Sequence, residues 1–236
     1  MRLDDPELVR REYAGADRLE GRASIYARRA GPDPIEVAFE AVREAVPGRV
    51  LEVGGGRGEF GARMVHELGV ELVEVDQSEH MVELMRARGL AAQVGDVQEL
   101  PFADGEFDVA VANWMLYHVP DLDRGVAELA RVLRPGGRLV AITNGAGHLR
   151  ELFALGGLEP LAGLHSFAAE NGEDVLRRSF ARVERHDTPG EVLVDHTAAV
   201  RYLESLIVCE LTVEVEPFQG DLLVHSFSVV FVADKA

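Results

Sequence analysis

The stretch Val50-Leu51-Glu52-Val53-Gly54-Gly55-Gly56-Arg57-Gly58 constrains this chain most. An apolar run enters a glycine cluster, and the helix-like RGEFGARMVHELG leaves it. Glycine supplies left-handed turns and lets a ligand approach the backbone closely. The helix start adds free N–H groups. A buried strand, tight turn and helix in this order begin a βαβ unit.

The alternation continues down the chain. VELVEVD reads as a second strand. SEHMVELMRARG reads as a helix capped by Ser78 and closed by Gly89, and LAAQVGD as a third strand. FDVAVANW predicts a fourth strand, and DRGVAELARVLRPGG a helix stopped by Pro135-Gly136-Gly137. RLVAITN predicts a fifth strand, FARVERHDT a sixth and LLVHSFSVVFVADK the last. Helices are also expected over IEVAFEAVREAV near the start and DHTAAVRYLESLIVCEL near the end, the latter started by Asp195 or His196. Strands alternating with helices predict an α/β, Rossmann-like doubly wound, mostly parallel seven-stranded sheet, with helices on both faces and an N-terminal helical cap. One domain spans 1–236: a cap over 1–46, a ligand-binding core over 47–144, and a lid and C-terminal sheet portion over 145–236.

Ligands of such sheets bind outside the carboxyl ends of the strands, where the glycines, Asp76, Asp96 and Asn113 fall. Asp76 follows the glycine turn by about twenty residues, the spacing at which a carboxylate meets ribose hydroxyls. Its two oxygens suit two hydroxyl donors.

The set VLEVGGGRG, strand-end Asp76, Gly95-Asp96-Val97, FDVAVANWMLYHVPD and LARVLRPGGRLV resembles the class I S-adenosylmethionine-dependent methyltransferases, small-molecule and quinone-type enzymes in particular. The resemblance covers about residues 35–144 and implies S-adenosylmethionine as cofactor and S-adenosylhomocysteine as product. It implies that Glu52, Gly54, Gly56, Arg57 and Gly58 shape the methionine end of the site. Asp76 and Gln77 would hold the ribose, and Asp96 and Val97 the adenine. Asn113, Trp114 and Met115 would line the methionine portion, and Tyr26 would close over the cofactor from the cap. His118 would stand between cofactor and acceptor as a general base, with Tyr117 and His165 on the substrate side. His148 and His196 are further histidine candidates.

Two alternatives stay open. Gly56-x-Gly58-x-x-Gly61 also matches the dinucleotide fingerprint of nicotinamide-dependent oxidoreductases, although Glu52 on the preceding strand suits a cationic ligand better than a pyrophosphate. A non-catalytic adenosyl-ligand-binding module would retain the same turn.

Composition bounds the partners. With 24 basic and 41 acidic residues, a net charge of −17 opposes nucleic acid and anionic membrane. The single cysteine, Cys209, excludes an intramolecular disulfide and is expected as a small buried apolar residue; no metal-ligand spacing is present. Without a secretory segment or an apolar run of membrane length, the expected compartment is the cytoplasm, and the composition suits a GC-rich bacterium. The expected partner is a small-molecule acceptor, and the expected state a monomer or homodimer.

Overall fold

The computed structural model describes residues 4, 5, 7, 9, 17–158, 166–206 and 215–236. A short α1 (Asp17–Ser24) runs into a 3-10 turn (Ile25–Arg28) and a two-residue strand β1 (Arg29–Ala30). Then come α2 (Pro34–Glu44), β2 (Arg49–Val53), α3 (Glu59–Leu68), β3 (Glu71–Asp76), α4 (Glu79–Ala87), β4 (Ala92–Val94) and β5 (Phe107–Asn113). A 3-10 turn (Leu116–His118), α5 (Leu122–Val132), β6 (Leu133–Asn144), α6 (Arg150–Leu155), α7 (Gly172–Leu176), β7 (Arg182–Val194), α8 (His196–Ser205) and β8 (Leu222–Asp234) complete it.

The sheet has eight strands where seven were expected, in the order β1-β7-β8-β6-β5-β2-β3-β4. The eighth is β1, which pairs antiparallel with β7 through Arg29↔Val192 and Ala30↔Glu191. Two residues leave no periodicity to read. The expected end of the helix after the fourth strand, at Pro135-Gly136-Gly137, is also corrected: α5 stops at Val132, and 133–144 form one strand. The register between β5 and β6 shifts there, so Pro135-Gly136-Gly137 belongs to the irregular start of β6.

Helix starts follow the local chemistry. The side chains of Asp33, Ser78, Asp121 and Asp195 accept from the N–H groups of Ile35, Met81, Arg124 and Ala198. Strand alternation sorts the core onto two faces. Leu51, Val53, Ala110, Ala112, Leu139 and Ala141 meet Val126, Leu129 and Ala130 of α5. Val50, Leu72, Val109, Val111, Val140 and Ile142 meet Ala38, Phe39 and Val42 of α2 with Phe60 and Met64 of α3.

A third core explains the far end of the chain. β7 and β8 pair over their whole lengths, from Arg182↔Asp234 to Val194↔Leu222, whereas β6 reaches only Ser228 of β8. The ribbon of 189–194 and 222–227 therefore runs on past the carboxyl ends of the parallel strands. Val192, Val194 and Val224 of that ribbon pack with Ile25, Leu152, Phe153, Ala199, Tyr202 and Leu203. This arrangement holds α6 and α8 at the ligand edge of the sheet.

Candidate active site

A cleft opens at the carboxyl ends of β2 to β5. Its walls are Val53, Gly54 and Gly56 after β2; Asp76 and Gln77 after β3; Gly95 to Gln98 after β4; and Trp114, Met115 and His118 to Pro120 after β5. Gly54 has φ +69, and a Cβ there would lie 2.8 Å from that of Met115. The turn thus needs glycine for its conformation and for the closeness of the opposite wall. The Asp76 carboxylate accepts from the Ser78 N–H at 2.8 Å and from the Gly56 N–H. Burial nevertheless pushes its pKa up to about 6, against those two bonds. Asp96 is held by the Gln98 side chain at 3.0 and 2.9 Å, and Gln98 in turn accepts from the Asp121 N–H at 2.9 Å.

Trp114 has φ +53, an uncommon backbone for an aromatic residue and a form of strain that clusters at ligand sites. Two bonds fix it: its N–H donates to Ile142, and its indole N–H donates to Asn144 Oδ1, each at 2.9 Å. Ser228 Oγ donates to the same oxygen at 2.8 Å.

The cleft brings together nine of the expected residues: Gly54, Gly56, Asp76, Gln77, Asp96, Val97, Trp114, Met115 and His118. Others lie outside its wall. Glu52 is buried beneath the turn beside Glu74. Arg57 lies 3.8 Å from Glu59, and a Cβ at Gly58 would meet Leu90 and Met85, so Gly58 serves packing. Asn113 ends β5 with both amide atoms buried and without a hydrogen-bond partner. Tyr117 stacks edge-on against His118 at 4.5 Å. Tyr26 is bonded through its hydroxyl to His148 Nε2 at 2.8 Å, in the third core. His196 lies at the start of α8, bonded to the Val215 carbonyl. His165 and Cys209 fall outside the described residues.

Sequence reasoning missed Val53, Gln98, Val119 and Pro120 as wall residues, and Asn144 as the anchor of Trp114. Gln98 carried a readable signal, lying two residues after Asp96 in a polar strand-end turn. Asn144 carried none, because its partners lie 30 and 84 residues away.

The chemistry of the wall fits S-adenosylmethionine. A carboxylate with spare lone pairs suits hydroxyls, and Val53, Val97, Val119 and Pro120 suit an adenine face.

The parallel core, the antiparallel β8 and the cleft past the glycine turn define a Rossmann-like class I fold. A methyltransferase domain family model matches residues 51–141. Malonyl-acyl-carrier-protein O-methyltransferase of Methylococcus capsulatus is 38% identical over 112 residues, covering 45% of this chain and 41% of that protein. Demethylmenaquinone methyltransferase of Beutenbergia cavernae is 38% identical over 128 residues, covering 53% and 47%. The chain thus spans less than half the length of either curated relative. Among solved structures, the YcgJ protein of Bacillus subtilis (TM-score 0.60, 17% identity, 85% and 98% coverage) and the 4+2 cyclase SpnF (0.61, 18%, 97% and 96%) share the fold. Over residues 51–141 the chain is similar to the methyltransferase domain family. The cofactor of that family is S-adenosylmethionine, with S-adenosylhomocysteine as product.

Proposed function

We propose that this protein transfers a methyl group from S-adenosylmethionine to a small-molecule acceptor by in-line SN2 displacement. The observation that carries the reading is the convergence of Gly54, Gly56, Asp76, Asp96, Val97, Met115 and His118 on one cleft at the strand ends. Asp76 and Gln77 would hold the ribose, Asp96 and Val97 the adenine, and Gly54, Gly56 and Asn113 the methionine portion. The cofactor supplies an electrophilic methyl on a sulfonium, so alignment of the acceptor does most of the work.

His118 is the general base where the acceptor must lose a proton, taking it on an imidazole nitrogen at the cleft wall. Tyr117 and His165 complete the acceptor side, and Tyr26 acts from the cap. The three regions 1–46, 47–144 and 145–236 are read as cap, cofactor core and substrate lid. The acidic balance favours an acceptor other than nucleic acid. Among the described residues, no helix is long and apolar enough to cross a membrane. We place the protein in the cytoplasm as a monomer or homodimer.

Glu52 and Glu74 lie buried beneath the helix start where a dinucleotide pyrophosphate would rest. Two carboxyls there oppose a phosphate-bearing cofactor. Calorimetric titration with S-adenosylmethionine, S-adenosylhomocysteine and NAD tests the reading. Binding of the two sulfur ligands without NAD supports it. Binding of NAD alone sinks it.

A further inference from the structure

The sheet face beneath α3 carries carboxyls that cofactor contact alone does not explain. Glu52 of β2 and Glu74 of β3 stand opposite each other in register, 1% and 0% exposed. Val50 and Leu72, two residues earlier on the same strands, are core aliphatics of that face. One Glu52 oxygen and both Glu74 oxygens are buried without any other hydrogen-bond partner. The room for them comes from two glycines. A Cβ at Gly55 would lie 2.5 Å from a Glu74 oxygen, and one at Gly61 would collide with the other. The carboxyls therefore lie one backbone layer below the turn whose Gly54 and Gly56 line the cleft.

No cation offsets them among the described residues. From β3, the charged neighbour is Asp76. The arginines of the elements packed above are engaged elsewhere: Arg57 near Glu59, Arg63 with Glu36 and Glu67, and Arg43 with Glu40. His66 and Glu67 of α3 are exposed on its outer side. Two adjacent buried carboxylates with no cation nearby cannot both stay ionised, so a proton between them is the one bond open to the pair.

We propose that Glu52 and Glu74 share one proton in the free protein, and that binding of the cationic cofactor above the glycine turn expels it to solvent. Glu74 is then a positioning residue that clamps Glu52 beneath the turn. The balance is simple: one carboxyl O–H breaks, the pair passes from one negative charge to two, and the bound cation supplies the compensating charge. The direction of titration agrees. Burial raises Glu52 to about 7, and raises Glu74 well above the carboxylate range, helped by the charges of Glu52 and Asp76.

The inference rests on the cofactor reading above, and one experiment separates the two. S-adenosylmethionine is titrated calorimetrically into the protein at about pH 7.5 in buffers of different ionisation enthalpy, where Asp76, at about 6, is already largely ionised. Glu74→Gln is run beside the wild type, so the cofactor's own titration cancels. Wild type is expected to release more protons than Glu74→Gln, and its Kd to tighten more steeply with pH, by up to tenfold per unit. Binding with no proton release by the wild type, or with equal release by both, overturns the inference. No binding at all overturns the cofactor reading instead. Should Glu74→Gln fail to fold, Glu74→Leu replaces it, and the wild-type release still decides.

Discussion

At the residue scale, Asp76 carries the sharpest expectation. Its carboxylate already accepts from two backbone N–H groups and keeps lone pairs for two hydroxyls. Each hydroxyl-to-carboxylate bond contributes about 1.5–3 kcal/mol. Asp76→Ala should therefore weaken S-adenosylmethionine binding roughly 10- to 100-fold while the domain stays folded, read by titration and circular dichroism; an unchanged Kd would remove Asp76 from the site. Because the ionised form accepts the hydroxyls, affinity should fall as pH drops through about 6. Stability runs the other way. The folded protein holds this proton more tightly than the unfolded chain, so the contribution of Asp76 is full below about pH 4 and lost as pH rises through about 6. His118→Gln should lower kcat by about 10²–10⁴ for an acceptor that loses a proton, with the cofactor Kd within a fewfold. An undiminished kcat would exclude His118 as the base. Asp76 was legible because its spacing from the turn is fixed by one βα unit. The placement of Tyr26 on His148 was not, because 122 residues separate them.

At the element scale, glycine against carboxyl sets how α3 packs. A Cβ at Gly61 would meet Leu72 at 2.7 Å and Glu52 at 2.9 Å. Gly61→Ala should destabilise the fold by about 1–3 kcal/mol in urea denaturation, since overpacking shifts helix and strand apart. A neutral result would mean that the Glu52–Glu74 pair is readily displaced. The ends of β5 and β6 and the middle of β8 meet at Asn144, which holds the chain's only tryptophan. Asn144→Leu should change Trp114 emission and weaken S-adenosylhomocysteine binding followed by that fluorescence, whereas Asn144→Asp, which keeps the acceptor oxygen, should largely restore both. An emission spectrum unmoved by Asn144→Leu would show that the backbone bond to Ile142 suffices.

For the whole molecule, the cleft draws walls from four strand ends and one 3-10 turn, so a ligand there braces the sheet edge as a unit. Cofactor at a hundred times its Kd adds about 2.7 kcal/mol of stability. For a chain of this size that corresponds to a Tm increase of roughly 5–10 °C. Scanning calorimetry with S-adenosylhomocysteine should show it, and NAD at the same concentration should not. The N-terminal turn at 25–30 and the elements after β6 are tied to this edge by the β7–β8 ribbon and by the Arg28–Asp221 pair at 2.6 Å. Their positions follow from strand length.

What the sequence determined by itself was local. Apolar alternation, Ser78 and Asp121 at helix starts, and the glycine turn settle the β2-to-β6 core, because each depends on neighbours within a few residues. The cleft wall follows from that core, since successive βα units return their strand ends to one edge. Tertiary structure alone decided the rest. β1 is too short to have a period, and β6 begins five residues before its readable part through a register shift against β5. The pairing of Glu52 with Glu74 arises because parallel register sets residues 22 apart side by side under a helix whose glycines leave them room. Distant contacts of this kind depend on register and packing, which a local pattern does not encode.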